Sequence, residues 1–179
     1  MITRALLLLL TVFTGSSVHQ NSLIEWRADR KLAWSDFKAT PDAKSANAAL
    51  TSSSINMEFG YDDKSWHYSI KCRFDKNRSW MRIRNNEILM HEQGHFDIAE
   101  LYARKLNKAL KAYRFRPRSI SKDVNSIYEK LMSEHHKAQS KYDHETDFSR
   151  NKVKQATWND KIAGDLKSLE TFADYSGKD

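Results

Sequence analysis

One eleven-residue stretch, Met90-His91-Glu92-Gln93-Gly94-His95-Phe96-Asp97-Ile98-Ala99-Glu100, constrains this chain more than any other. On a helix turning about 100° per residue, His91 and His95 share a face one turn apart, so both imidazoles can reach a single ion. Glu92 adjoins the first histidine and can reach a water held at that ion. The expected metal is zinc, with two His ligands, a third protein ligand from elsewhere and an open position. A helix is what the surroundings predict, because Ile88, His91, His95, Ile98, Ala99, Tyr102, Leu106, Ala109, Leu110 and Tyr113 recur every three or four residues. The same apolar face admits a plainer reading, a histidine pair hydrogen-bonded in the core; Glu92 between the pair favours the metal.

The remaining periodicities set the fold. From Ser53 the period is two: Ile55, Met57 and Phe59 alternate with polar residues, Gly60 to Lys64 forms a turn, and Trp66, Tyr68, Ile70, Cys72 and Phe74 alternate again. This predicts an antiparallel hairpin with one buried face, to which Ser79 to Arg84 can add a third strand. Beyond Pro117, the series Ile120, Val124, Ile127, Leu131, His135, Ala138 and Tyr142 predicts a second helix. Trp158, Ile162, Leu166, Leu169 and Phe172 predict a third. The expected class is α+β, a small antiparallel sheet packed on the metal helix and followed by two further helices.

The N-terminus reads as an export signal. Arg4 precedes the apolar run from Ala5 to Phe13, and the small residues Gly15, Ser16 and Ser17 follow. Nine residues are too few to span a bilayer comfortably, so the run is read as a signal peptide over residues 1–20, with one domain over 21–179 and a periplasmic or extracellular destination. Cys72 is the only cysteine, which excludes an intramolecular disulfide. The formal charge of +7 is concentrated at Arg104, Lys105, Lys108, Lys111, Arg114, Arg116 and Arg118. These lie on the polar side and far end of the metal helix, so they read as a solvated face that could touch an anionic envelope surface, and nucleic acid is not an expected partner. The domain is read as a monomer.

The third ligand stays open between three residues. A metal-binding His six residues beyond His95 is absent, since that position is Leu101, and Glu100 is turned about 140° away from His95, which leaves it a supporting role. Continuing the stripe beyond Tyr142 by three reaches Glu145, whose carboxylate would face inward and need a cation, so Glu145 is the favoured ligand. Asp143 and His135 are the alternatives.

Several motifs now carry a resemblance: Trp34-Ser35-Asp36-Phe37, Ser79-Trp80, the stretch His91 to Leu101 with Ala103 to Leu106, and Tyr142-Asp143-His144-Glu145-Thr146 followed by Asn151, Gln155 and Trp158. Together they resemble the exported bacterial family catalogued as domain of unknown function 922, predicted to be zinc-dependent proteases. The resemblance implies a zincin-like domain acting on protein or peptide substrates. That family often carries His-Gly two residues after the Tyr-Asp-x-Glu-Thr segment, where this chain has Phe148-Ser149, so a family ligand at that His would be missing here.

The expected chemistry is metal-assisted peptide hydrolysis in which Glu92 serves as general base. Tyr142 either hydrogen-bonds the developing oxyanion or packs in the core. The alternative is a non-catalytic envelope protein whose structural or vestigial metal site accompanies a partner-binding surface.

Overall fold

The computed structural model describes residues 22–175. The expected signal segment, residues 1–20, lies outside the described residues. Within them the chain is α+β, with short β-strands followed by three helices. No described helix is long and apolar enough to cross a membrane.

The alternating segments form the predicted hairpin. Strands β3 (Ser53–Tyr61) and β4 (Trp66–Asp75) pair antiparallel, with Ile55 opposite Cys72 and Phe59 opposite Tyr68. Asp62 closes the turn by accepting from the backbone N–H groups of Lys64 and Ser65. Because side chains alternate across the sheet, Tyr68, Ile70, Cys72 and Phe74 all fall on its buried face.

The third strand is not Ser79 to Arg84. It is β1 (Leu23–Glu25), which pairs with the other edge of β4 to give the order β1-β4-β3. After β4 the Ser79 hydroxyl donates to Asp75 O and accepts from Ser52 N, which turns the chain off the sheet. Residues Trp80–Met81 (β5) then pair with Ala49–Leu50 (β2) in a separate two-stranded ribbon.

Helix α1 (Asn86–Ala112) runs through the centre of the domain. Asn85 caps it by accepting from Ile88 N at 2.8 Å, a contact worth about 1 kcal/mol. Ala99 and Ala103 are wholly buried, and these small residues let the sheet and the other helices approach α1 closely. Phe74 of β4 meets Phe96 of α1 with ring centroids 5.8 Å apart, and the Tyr68 hydroxyl donates to Asn107 Oδ1 at 2.7 Å.

Helix α2 (Ile120–Thr146) and helix α3 (Lys152–Ser168) pack on α1 and on each other. Asp36 and two residues of the metal stretch hold the entry segment in place. Asp36 accepts two bonds from Arg30 at 2.8 Å each, while Gln93 accepts from Leu32 N and Asp97 accepts from the Trp26 indole.

Candidate metal centre

His91 and His95 share the face of α1 that looks across to α2, as their spacing requires. Asp143 of α2 completes a cluster with them. Its Oδ1 lies 3.1 Å from His91 Nε2 and 2.9 Å from His95 Nε2, and the two Nε2 atoms are 3.2 Å apart. A tetrahedral zinc with bonds of about 2.0–2.1 Å separates its ligand atoms by roughly 3.3 Å, so the triangle is close to the required size.

The hydrogen bonds around the cluster fix the tautomer of both imidazoles. Gln139 Nε2 donates to the backbone carbonyl of His95 at 3.0 Å and to His135 Nε2 at 2.9 Å. A carbonyl can only accept, so the other end of that amide, Oε1, is what faces His95 Nδ1 at 2.6 Å. On the other histidine, the Tyr142 hydroxyl donates to the carbonyl of His91 at 3.1 Å. Its oxygen therefore accepts from Gln155 Nε2 at 2.6 Å, which leaves Gln155 Oε1 facing His91 Nδ1 at 3.0 Å. Both Nδ1 atoms thus carry the proton, and both Nε2 lone pairs point at Asp143 Oδ1.

Three acceptors this close repel one another unless a cation lies between them. Without a metal, a proton serves. Burial works against charging His95, yet the hydrogen bond to Asp143 and the charges of Glu92 and Asp143 outweigh it and raise its pKa. Burial likewise opposes ionisation of Asp143, but the bonds from both imidazoles hold its carboxyl far below the usual carboxylate range. The donor set of two neutral imidazoles and one carboxylate, oriented through their outer nitrogens, fits a divalent cation such as zinc.

Glu92 is 4% exposed, and its Oε2 has no hydrogen-bond partner. It lines, together with His91, His95 and Asp143, a cavity of about 390 Å³. The cluster therefore faces a cavity on one side, and Glu92 lines that cavity beside it.

Two site expectations are corrected. Glu145, the favoured third ligand, sits on the opposite flank of α2, where Oε2 accepts from the Trp158 indole at 2.8 Å and Oε1 pairs with Lys141. Asp143, the alternative, is the carboxylate that meets the two histidines. Tyr142 does not reach the cavity to serve an oxyanion. It is fully buried, its ring stacks on His91 at 4.6 Å, and its hydroxyl is committed to His91 O and Gln155. Burial pushes its pKa well above the ordinary tyrosine value.

His135, the other alternative, lines the cavity next to Gln139 and is kept neutral by burial, its pKa lowered to about 4. Glu100 is buried against Arg104 and holds that helix turn, away from the cluster. Gln139 escaped sequence reasoning and Gln155 entered only as a motif residue with no role, because an amide on an amphipathic helix looks like any surface glutamine. The remaining signal was their phase: Gln139 lies four residues from His135 and Asp143, and Gln155 three from Trp158.

A family described as bacterial protein of unknown function (DUF922) matches residues 17–150, well over half of the 179-residue sequence. The chain belongs to this family. The match spans the whole hairpin, α1 and α2, and so contains His91, Glu92, His95 and Asp143. Gln155 and Trp158 of α3 lie beyond it. No curated protein and no solved structure matches the chain. Where the resemblance expects His-Gly, this DUF922 member places Phe148 and Ser149 on the cavity wall, so no imidazole at 148 adds to the cluster.

Proposed function

We propose that this DUF922 protein is an exported zinc-dependent peptidase acting on protein or peptide substrates in the periplasm or outside the cell. The observation that carries the reading is the convergence of two fixed Nε2 lone pairs and one carboxylate oxygen beside a cavity that Glu92, whose buried Oε2 has no hydrogen-bond partner, also lines. A purely structural site has little use for an open side and a buried carboxylate without a partner.

His91, His95 and Asp143 would hold the ion. When bound, zinc would supply Lewis acidity, lowering the pKa of a water towards roughly 7 and polarising a scissile carbonyl. Glu92 accepts the proton of the attacking water and returns it to the amine as the peptide C–N bond breaks. The opposite wall, residues 47–53, offers an edge for an extended substrate. Ala48 O accepts from Arg82 N on the ribbon side, so by strand alternation the peptide groups of Ala49 and Thr51 face away from β5. Among the described residues, neither the N–H nor the C=O of Thr51 is hydrogen-bonded, and its hydroxyl reaches Glu92 O at 3.3 Å.

The test is Glu92→Gln in the mature protein. That variant should keep one zinc per chain and lose cleavage of a peptide library by about a hundredfold or more. Equal cleavage by both proteins rejects the mechanism. Zinc in both with cleavage in neither makes a structural metal site the better account.

A further inference from the structure

The wall of the cavity beside Asp143 carries a feature that folding does not explain. Asp147, Phe148 and Ser149 follow α2 with φ of 49°, 51° and 74°, three successive non-glycine residues in the left-handed region. A helix C-cap requires one such residue; each costs about 1 kcal/mol or more. The run is held by Phe148 N donating to Asp143 O at 3.0 Å, Asn151 N donating to Thr146 O at 2.8 Å and the Asp147–Arg150 ion pair. Its result is to bring Phe148 to the cavity with its side chain half in solvent, 50% exposed. Leu50 of β2, 41% exposed, lines the same cavity, as does Ile88 of α1. Two large apolar side chains are thus left half in water in the cavity that the cluster and Glu92 also line. The other end of the cavity is polar, lined by His135, His136 and Gln139.

We infer that Phe148, Leu50 and Ile88 form a side-chain subsite that selects substrates bearing a large apolar residue next to the scissile bond. This rests on the peptidase reading above. A peptide paired with the open edge at Ala49 and Thr51 sends alternate side chains to either side, and one at the metal falls between β2 and the Phe148 turn. An apolar side chain there covers Phe148 and Leu50 from water. An acidic one would be desolvated against them, and among the described residues no Lys or Arg lines the cavity to pair with it.

Binding of peptidyl hydroxamates to the zinc-loaded mature protein tests the subsite, with calorimetry on two otherwise identical compounds carrying a leucine or an aspartate side chain beside the chelating group. Wild type should bind the leucine compound about tenfold or more tighter. Phe148→Asn, chosen because Asn tolerates positive φ, should retain zinc and lose most of that preference. Equal affinity of wild type for both compounds, or an unchanged preference in Phe148→Asn, overturns the subsite and leaves the peptidase reading standing. Failure of both compounds to bind zinc-loaded wild type overturns the peptidase reading and the subsite with it.

Discussion

Gly94 sits between His91 and His95, and adding one methyl there should cost far more than helix propensity suggests. In a helix interior, Ala is preferred to Gly by about 1 kcal/mol, so propensity alone predicts a more stable protein. The structure predicts the reverse. A Cβ on Gly94 would run into the Tyr142 hydroxyl oxygen and come within 2.7 Å of Cζ. Tyr142 cannot yield easily, since it is fully buried, stacked on His91 and packed edge-on against Trp158 at 5.3 Å. Overpacking of this kind costs about 1–3 kcal/mol. Displacing the hydroxyl also breaks its bonds to His91 O and Gln155, at about 1 kcal/mol each. Setting the propensity gain against these losses leaves Gly94→Ala less stable by about 2–4 kcal/mol. Urea unfolding of the metal-free protein, followed by circular dichroism, should show the midpoint fall by about 1–2 M at a slope of about 2 kcal/mol/M. Zinc affinity should weaken too, because Gln155 loses one of the two acceptors, the Tyr142 hydroxyl and Asn159 Oδ1, that orient its amide towards His91. A Gly94→Ala variant as stable as wild type, or more so, would refute the packing argument.

Asp143→Ala should lose stoichiometric zinc in elemental analysis while Glu145→Ala keeps it; the opposite pattern would reverse the ligand assignment. Gln155→Leu should weaken zinc binding by about 10–100-fold in a chelator competition, with the zinc-free fold retained. His135 should make stability acid-sensitive. Its folded pKa is lowered from 6.5 to about 4, so between those values the unfolded chain takes up a proton that the folded one refuses. Stability should then fall as pH drops through that window, by up to about 3 kcal/mol in all, and stop falling below it. His135→Asn should remove this component from the difference between the two pH–stability curves.

Sequence periodicity was enough to place the hairpin and the first two helices, because each of them buries one face and the burial writes itself into the spacing; the third helix was found, but it starts at Lys152 and ends at Ser168, so Leu169 and Phe172 fall past its end. The third strand was not legible for a specific reason. Trp80 and Met81 look like strand residues and are paired in a strand, but Ser79 diverts them to Ala49 and Leu50. The true partner of β4, Leu23–Glu25, is too short to show any period. Strand length and apolar content say that a segment is extended; they do not say which edge it finds.

The ligand question turned on which flank of α2 faces the cavity, and a single helix cannot answer it. Measured about the axis from Tyr142, Thr146 lies at about 40° and shares its inward face, and both are wholly buried. Asp143 lies at about +100° and Glu145 at about −60°, so the two acids sit on opposite flanks of the same inward stripe. Glu145 is the nearer to the stripe, which is why apolar periodicity favours it. Yet Gln139 falls at about +60° and His135 at about +20°, so the polar residues that cannot be explained by packing accumulate on the positive side. A metal cluster belongs on that side, at the margin where the buried face meets solvent, because the ion must be dry enough to hold its ligands and open enough to meet a substrate. Glu145, on the other margin, meets α3 instead and is used there by Trp158. For a helix that carries both a core and a metal ligand, the informative pattern is thus the drift of polar side chains to one edge of the stripe rather than the stripe itself.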